Sequence, residues 1–307
     1  MGTLKTGVIG VGYLGKFHAQ KYASHDNSNL IGVVDANQST ADQIAQELGN
    51  VNAYTNYQDI IDQVDAVSIV TTTPAHFEIA QAFLAKRKHV LLEKPITSTT
   101  EQAEALIKLA EQNNCILQVG HIERFNPAVL AMDEYLHGPK FIESHRLSPF
   151  RERGTDVDVV LDLMIHDIDI ILSIVHSDIK DIQASGMSVL SDAIDIANAR
   201  ITFENLCVAN VTASRVSDKT ERKLRLFQEN AYFSADLANH DLKIYHREEK
   251  EIKSRSFKYE KSDALLTEVT QFLNCIETGK QPLVTGIDGL RALSTADIIT
   301  QKIQPQS

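Results

Sequence analysis

A glycine-rich turn between a buried strand and a helix constrains the fold of this chain more than any other feature. Thr6–Ile9 is a short apolar run, and Gly10-Val11-Gly12-Tyr13-Leu14-Gly15 follows it and leads into a helical stretch that ends at Ser24. Glycine triplets occur by chance, but a G-x-G-x-x-G in this strand–turn–helix context predicts a dinucleotide-binding unit. The glycines permit a tight turn and close approach of the backbone to a pyrophosphate, and the helix N-terminus presents unpaired N–H groups to it.

An acidic residue at the end of the second buried strand specifies the nucleotide. Asp35 follows the apolar run Leu30–Val34 and lies twenty residues beyond Gly15. A carboxylate at this point accepts hydrogen bonds from the adenosine ribose and repels a 2′-phosphate. Ala36 and Asn37 supply no arginine to bind such a phosphate. We therefore predict NAD rather than NADP as the cofactor.

Apolar runs and helical patterns alternate through the first third of the chain and then stop. Buried strands separated by helices are typical of a parallel sheet covered on both faces. The series continues with helices at Gln38–Leu48, His76–Lys86 and Thr99–Asn113, and with strands at Ala53–Tyr54, Asp65–Val70, His89–Leu92 and Ile116–Val119. We predict an α/β Rossmann domain with a parallel sheet over residues 1–122.

The pattern after residue 122 is different. One long helix, Asp156–Ile174, is followed by segments with period-two alternation and then by helices at Ala264–Thr278 and Asp288–Lys302. The alternating segments are Ile182–Val189, Ile194–Phe203, Cys207–Ser214, Lys223–Gln228, Ala231–Ala235 and Leu242–Tyr245. Consecutive strands joined by short polar turns indicate an antiparallel sheet. We predict an α+β domain with an open, mainly antiparallel sheet over residues 123–307.

Composition excludes several classes of partner. The formal net charge of −11 argues against nucleic acid, whose phosphates call for a basic surface. No apolar run is long enough to span a bilayer, and Met1 leads straight into a strand pattern, so we expect no membrane association and no signal peptide. Cys115, Cys207 and Cys275 form no C-x-x-C pair and are predicted to be buried, reduced thiols, which suits a cytoplasmic protein. We predict no metal site.

Polar residues follow two of the Rossmann strands at the edge where cofactors bind in such folds. Thr71, Thr72 and Thr73 follow one strand and either line the nicotinamide ribose or serve as turn and N-cap residues. His76 stands in the next helix's first turn, where a surface position is expected, and we include it among the candidate cofactor residues. Glu93-Lys94 follows the next strand, and both residues are candidate cofactor contacts. Lys94 either is solvated or stabilises alkoxide charge on a substrate hydroxyl.

An acid and an imidazole lie four residues apart on the helix Asp156–Ile174. Asp162 and His166 therefore project from one face of that helix. Such a pair suits a general base for alcohol oxidation, because histidine titrates near neutrality. The same helix carries Asp158, Asp167 and Asp169, so some of its carboxylates are expected to be merely solvated.

Four motifs in this order resemble the glucose–fructose oxidoreductase/inositol dehydrogenase (Gfo/Idh/MocA) family. They are Gly10–Gly15, Glu93-Lys94-Pro95, Gly120–Pro127 and Asp162-x-x-x-His166. The resemblance implies hydride transfer from a substrate CH–OH group to nicotinamide, with His166 as the base, Asp162 binding substrate or tuning the base, and Lys94 bridging substrate and cofactor. It also implies a second domain that binds substrate and forms a homodimer or homotetramer through the open sheet.

Three segments, 12–18, 120–127 and 162–169, resemble more narrowly the branch of this family that oxidises the 3-hydroxyl of UDP-N-acetylglucosamine. Two alternatives remain open. One is an inositol or simple-sugar dehydrogenase of the same family. The other is a catalytically silent NAD-binding sensor, against which the retention of Lys94, Asp162 and His166 counts.

Two further segments are candidate substrate contacts. His121, Arg124 and Asn126 follow the last Rossmann strand and are expected to border the substrate, although Arg124 could instead tie the two domains together by an ion pair. The segment Arg146–Gly154 supplies three arginines to a loop, Arg146, Arg151 and Arg153, of which Arg151 and Arg153 are the candidate ligands for the diphosphate of a nucleotide sugar. The alternative is a solvated loop in which Glu152 neutralises its neighbours.

Overall fold

The computed structural model describes residues 2–49, 51–151, 157–249, 251–260 and 262–303. Its chain forms two units. Residues 1–122 and 263–290 make up the first, and residues 123–262 and 291–307 make up the second.

Six parallel strands form the sheet of the first unit, in the order β3-β2-β1-β4-β5-β6. The strands are β1 (Leu4–Ile9), β2 (Ser28–Val34), β3 (Asn52–Tyr54), β4 (Ala66–Ile69), β5 (His89–Glu93) and β6 (Leu117–Gly120). The helices between them are α1 (Gly15–Ser24), α2 (Gln38–Glu47), α3 (Thr73–Ala85) and α4 (Thr100–Asn113), with short 3₁₀ turns at Tyr57–Asp59 and Ile61–Gln63. The strand order reverses between β1 and β4, which is where the glycine turn lies and where dinucleotides bind in doubly wound sheets. The predicted Rossmann fold is confirmed.

A late segment of the chain returns to this unit. The sequence assigns residues 123–307 to the second domain, but residues 263–290 belong to the first unit. They contain α7 (Ala264–Thr278), whose Val269, Phe272 and Leu273 share one buried core with Ala19 and Tyr22 of α1. The apolar face of α7 is buried there, and no local pattern in the sequence specifies the partner of such a face.

Eight strands form the sheet of the second unit, in the order β14-β13-β12-β11-β7-β10-β9-β8. The strands are β7 (Phe141–Leu147), β8 (Ile179–Met187), β9 (Ile196–Phe203), β10 (Val208–Ser214), β11 (Glu221–Gln228), β12 (Ala231–Asp236), β13 (Asp241–Glu248) and β14 (Glu251–Lys258). Only the β7–β10 pair is parallel among these described strands. The predicted open, mainly antiparallel sheet is confirmed.

Two of these strands carry no period-two apolar signal. β7 lies in the middle of the sheet but presents Glu143, Ser144, His145 and Arg146 in succession, and β14 is an edge strand whose side chains are mostly exposed. The helices of this unit are α5 (Pro127–Met132) and α6 (Ile165–Ile174), and α8 (Gly286–Ile303) begins in the first unit and ends in the second.

No helix within the described residues is both long and apolar enough to cross a membrane. The three cysteines are unpaired, with Cys207 and Cys275 buried and Cys115 half-buried.

Candidate active site

The glycine turn has the shape that a pyrophosphate requires. Gly10 has φ = +84°, and a Cβ atom there would lie 2.6 Å from the Val70 carbonyl oxygen. A Cβ atom on Gly15 would lie 1.8 Å from the carbonyl oxygen of Gly10, whereas one on Gly12 would meet no heavy atom within 4 Å. Gly10 and Gly15 are therefore required for the turn itself, and the open space beside Gly12 is where a phosphate group can approach the backbone.

Asp35 holds this turn from the end of β2. Its Oδ2 accepts the N–H of Val11 at 3.0 Å, and its Oδ1 accepts the N–H of Asn37 at 3.0 Å. Each carboxylate oxygen retains a lone pair for a ribose hydroxyl. Tyr13 and Leu14 are 68% and 38% exposed, and such apolar exposure fits side chains that line a bound cofactor.

The threonines after β4 begin α3. Thr72 occupies the N-cap position of α3, but its side chain makes no capping hydrogen bond. Thr72 is exposed, and Thr71 and Thr73 are half-buried. The capping alternative is therefore not realised at Thr72, which leaves its hydroxyl to solvent or to a bound cofactor.

The expected surface position of His76 is wrong, because its side chain is buried. Nδ1 lies 2.9 Å from the carbonyl oxygen of Pro95, and Nε2 lies 3.2 Å from that of Thr71. Burial lowers the pKa of His76, which favours the neutral ring. The neutral ring carries one N–H, so it donates to one of these two carbonyl oxygens and lies beside the other, inside the protein.

Lys94 follows β5 and is half-buried. Its backbone N–H donates to Oε2 of Glu93 at 3.2 Å. Glu93 is buried, and its Oε1 lies 3.2 Å from Nε2 of His18 on α1. The carboxylate of Glu93, a candidate cofactor ligand, is therefore occupied inside the first unit.

Asp162 and His166 belong to the second unit, and a change of helix type separates them. Val160–Met164 forms a π-helical turn, α6 begins at Ile165, and both candidate side chains are half-buried. Short π-helical segments widen the spacing of side chains along a helix and are frequent at functional sites.

The other acidic residues of this helix have structural partners rather than solvent. Asp158 Oδ1 accepts the N–H of Ile194 at 2.9 Å. Asp167 and Asp169 are buried and form ion pairs with arginines. The expectation of merely solvated carboxylates is therefore wrong for these three residues.

Arg146 is one of those arginines and lies in β7 rather than in a loop. Its Nε lies 2.7 Å from Asp167 Oδ2, and its Nη1 lies 2.9 Å from Glu123 Oε1. Burial of Glu123 opposes its ionisation, but the charges of Arg146 and Arg222 hold the pKa of Glu123 below its usual range. The guanidinium of Arg146 is thus fully engaged in the core and contributes nothing to an anion-binding loop.

The segment after β6 is largely buried. Arg124 forms an ion pair with Asp169 at 3.4 Å, and both residues belong to the second unit. Asn126 caps α5 by accepting the N–H of Ala128, and its amide donates to the carbonyl oxygen of Leu237 at 2.9 Å. His121 is also buried, at the end of the first unit. The hydrogen bonds of the Asn126 side chain therefore stabilise the fold, and Arg124 has a buried structural partner.

Arg151 is exposed. Arg153 lies outside the described residues.

The comparisons with known proteins cover both units. The family profile described as "Oxidoreductase family, NAD-binding Rossmann fold" matches residues 4–121, and the one described as "GFO/IDH/MocA C-terminal domain" matches residues 137–234. UDP-N-acetylglucosamine 3-dehydrogenase of Acidithiobacillus ferrooxidans is 40% identical over 95% of each chain. The chain belongs to the Gfo/Idh/MocA family. Its members are oxidoreductases with an NAD-binding Rossmann fold. NAD is also the cofactor that Asp35 predicts.

Solved structures agree with this Gfo/Idh/MocA assignment. A structure of the Acidithiobacillus ferrooxidans enzyme aligns with a TM-score of 0.94 at 39% identity over 99% of this chain and 98% of that one. By comparison of sequences alone, myo-inositol 2-dehydrogenase of Thermotoga maritima is 25% identical over 94% of this chain and 93% of its own. A levoglucosan dehydrogenase in complex with NADH has a TM-score of 0.88 at 18% identity over 98% and 96% of the two chains, a likeness of fold alone.

Proposed function

We propose that this protein is an NAD-dependent dehydrogenase that oxidises the 3-hydroxyl of a UDP-N-acetylglucosamine-type nucleotide sugar. One observation carries the proposal: the 40% identity to UDP-N-acetylglucosamine 3-dehydrogenase extends over 95% of both chains. The likeness therefore includes the second unit, where we place substrate recognition. The inositol dehydrogenase is more distant, at 25% identity.

The catalytic residues of this proposal are Lys94, Asp162 and His166. NAD, when bound, supplies the hydride acceptor. His166 takes the proton of the 3-hydroxyl, Asp162 binds the substrate or tunes the imidazole, and the Lys94 ammonium stabilises the alkoxide that develops as the hydride leaves. The cofactor is bound at the glycine turn. Gly10 and Gly15 form the turn, the open space beside Gly12 admits the pyrophosphate, and Asp35 accepts hydrogen bonds from the ribose.

Recognition of the UDP diphosphate falls to the end of the segment 146–154 in this proposal. Arg146 is excluded because it is paired with Asp167 and Glu123. Arg151 is exposed and available to a bidentate phosphate contact, and Arg153 is its proposed partner. His121 completes the proposed substrate contacts, whereas Asn126 and Arg124 act mainly through the packing described above.

We further propose a homodimer or homotetramer assembled through the open sheet of the second unit. A row of neighbouring aromatic rings crosses four strands, with centroid separations of 5.8, 4.8 and 5.5 Å, the first pair tilted and the other two stacked: Phe141, Phe227, Tyr232 and Tyr245. These side chains alternate with the core-facing residues of their strands and are only half-buried. A partly exposed aromatic row suits an interface between subunits. The three unpaired cysteines fit a cytoplasmic location for this enzyme.

The decisive experiment mixes the purified protein with NAD and one substrate at a time, and follows NADH absorbance. We expect UDP-N-acetylglucosamine to reduce NAD, and myo-inositol and free N-acetylglucosamine to be poor substrates. Lys94→Ala and His166→Asn should each lower turnover by roughly 10²–10⁴ while NAD affinity stays near normal. If myo-inositol reduces NAD and UDP-N-acetylglucosamine does not, the substrate is a polyol rather than a nucleotide sugar. If no substrate reduces NAD, the result favours the NAD-binding sensor.

Binding of UDP tests the substrate class without turnover. UDP should bind the NAD-loaded protein in calorimetry, more weakly as salt rises. Arg151→Ala should weaken that binding by about 1.5–3 kcal/mol, the range of a charge-assisted hydrogen bond. Absence of UDP binding would contradict the nucleotide-sugar assignment.

A further inference from the structure

A buried polar cluster in the first unit includes Glu93, the residue that precedes Lys94. It joins His18 of α1, Glu93 at the end of β5 and Glu268 of α7, and one ligand-type atom from each of the three lies within 4.8 Å of the others. His18 and Glu268 are fully buried, and Glu93 is nearly so. The carboxyl oxygens of Glu268 have no hydrogen-bond partner among the described residues. A buried carboxylate without a partner is costly, so the protonation state of this cluster requires an explanation.

The hydrogen bonds around His18 run in one direction. Ser68 Oγ lies 2.9 Å from the hydroxyl of Tyr22 and 3.2 Å from Nδ1 of His18, and Nε2 of His18 lies 3.2 Å from Glu93. A neutral imidazole with its proton on Nε2 satisfies every group: Tyr22 donates to Ser68, Ser68 donates to His18, and His18 donates to Glu93. In this arrangement the negative charge of the cluster is on Glu93.

Two carboxylates cannot both be ionised at this separation in a buried site. Burial opposes ionisation of Glu93, but the hydrogen bond from His18 and the nearby charge of Lys94 hold the pKa of Glu93 below its usual range. Burial and the charge of Glu93 raise the pKa of Glu268 well above its usual range. Gln118 of β6 also faces Glu268, but its amide donates to the backbone carbonyl oxygen of that residue and leaves the carboxyl group alone.

We propose that Glu268 is a neutral acid that turns its O–H toward the carboxylate of Glu93, and that it is thereby a positioning residue for Lys94. At the observed separation a small side-chain rotation or one bridging water completes the hydrogen bond. Glu93 in turn fixes the backbone of Lys94, because its other carboxylate oxygen accepts the backbone N–H of Lys94. The carboxyl group of Glu93 is confined as well, since a Cβ atom on Gly120 would lie 2.9 Å from its Cδ.

The same three residues are of the types that bind a metal ion, but their contacts favour a shared proton. Nε2 of His18, the atom that would ligate an ion here, is used in the hydrogen bond to Glu93. Its other nitrogen is used with Ser68. The neutral acid explains the cluster without an additional cation.

The first test reads the proton directly by infrared spectroscopy of the purified full-length protein. A neutral carboxylic acid gives a carbonyl stretch above the amide band that shifts in D₂O. We expect this band in the wild type at neutral pH, its loss in Glu268→Gln, and its retention in the control Glu277→Gln on the same helix. A wild type without the band, or a stoichiometric metal ion found by elemental analysis and lost in Glu268→Gln, would overturn the proposal.

The second test rests on the proposed role of Lys94 and measures kcat and KM with NAD and UDP-N-acetylglucosamine. Glu268→Gln keeps an N–H donor toward Glu93, so its kcat should stay within about threefold of wild type. Glu268→Leu removes the donor and should lower kcat by about tenfold or more with little change in KM for NAD, because Lys94 is misplaced. Glu277→Leu is the matched control. Equal losses in Glu268→Gln and Glu268→Leu, or no loss in either, would refute the positioning role.

The two tests separate two kinds of failure. If the wild type does not oxidise a nucleotide sugar, the proposed function fails, and the infrared band still decides whether Glu268 is a neutral acid.

Discussion

At the scale of single residues, burial decided what each charged group does. Arg146 and Arg151 lie close together in the sequence, yet Arg146 is buried between two carboxylates and Arg151 is exposed. Asp35 is between these extremes, since it is half-buried and its carboxylate accepts the N–H groups of Val11 and Asn37. The consequences for these residues can be tested by substitutions that separate charge from structure.

Asp35→Ala should weaken NAD binding by about 2–3 kcal/mol and narrow the preference for NAD over NADP, because two charge-assisted hydrogen bonds to the ribose are lost. Asp35→Asn is the control, since its amide oxygen still accepts the Val11 N–H while the charge that repels a 2′-phosphate is gone. Calorimetric titrations with both cofactors measure the two effects. A wild type that prefers NADP would show that Asp35 has no such role.

Arg124→Ala should lower the stability of the second unit more than it raises the substrate KM. The Arg124–Asp169 pair is buried, and removal of one partner leaves an uncompensated charge, which typically costs about 3–5 kcal/mol. Denaturant unfolding of Arg124→Ala, Asp169→Asn and the double variant measures the coupling. A large rise in KM with unchanged stability would restore Arg124 to the substrate site.

At the scale of elements, the six-residue turn between β1 and α1 contains glycines with different roles: some are required for the fold, and one is expected to contact the cofactor. Gly15 is in contact with the Gly10 carbonyl group, whereas Gly12 borders open space. The two positions therefore make a matched pair for one experiment.

Gly12→Ala should leave the melting temperature nearly unchanged but weaken NAD binding by about tenfold or more, because its methyl group occupies the space that the pyrophosphate approaches. Gly15→Ala should cost about 1–3 kcal/mol of stability through overpacking. Thermal unfolding and NAD titration of both variants give the comparison. Loss of stability in Gly12→Ala with normal NAD affinity would place the phosphates elsewhere.

At the scale of the whole molecule, titration of buried acids links pH to stability with opposite signs. Hydrogen bonds from the turn at 189–191 outweigh the burial of Asp195 and lower its pKa, so its contribution is lost as pH falls below the range where an unfolded Asp ionises. Glu123 behaves in the same way. Glu268 is the reverse case, because its folded pKa is raised.

Glu268 should make the protein less stable as pH rises. Above an unfolded pKa of about 4.3, the unfolded chain has released the proton that the native state still holds, so the unfolding free energy falls by about 1.4 kcal/mol per pH unit until the native pKa is reached. Glu268→Gln does not titrate and should lack this slope. Denaturant unfolding of both proteins over a pH series gives the difference, and parallel curves would mean that Glu268 is ionised in the native state.

The sequence by itself determined the parts of this protein that are encoded locally. The strand–glycine–helix series specified the Rossmann unit, period-two alternation specified most of the antiparallel sheet, and Asp35 specified NAD. Glu93-Lys94 and the Asp162–His166 pair are predicted site residues for the same reason, because each lies directly after or within a recognisable element.

Tertiary structure alone decided which distant residues meet. Glu268 is 175 residues beyond Glu93 in the chain, and only the return of α7 to the first unit brings the two carboxyl groups together. The sequence pattern does not predict β7, because its polar residues are paired with partners from other elements. A surface position was expected for His76, because nothing near it in the sequence indicates that Pro95 is its partner. A periodic pattern reports which face of an element is buried, whereas the identity of what covers that face depends on contacts that no local pattern contains.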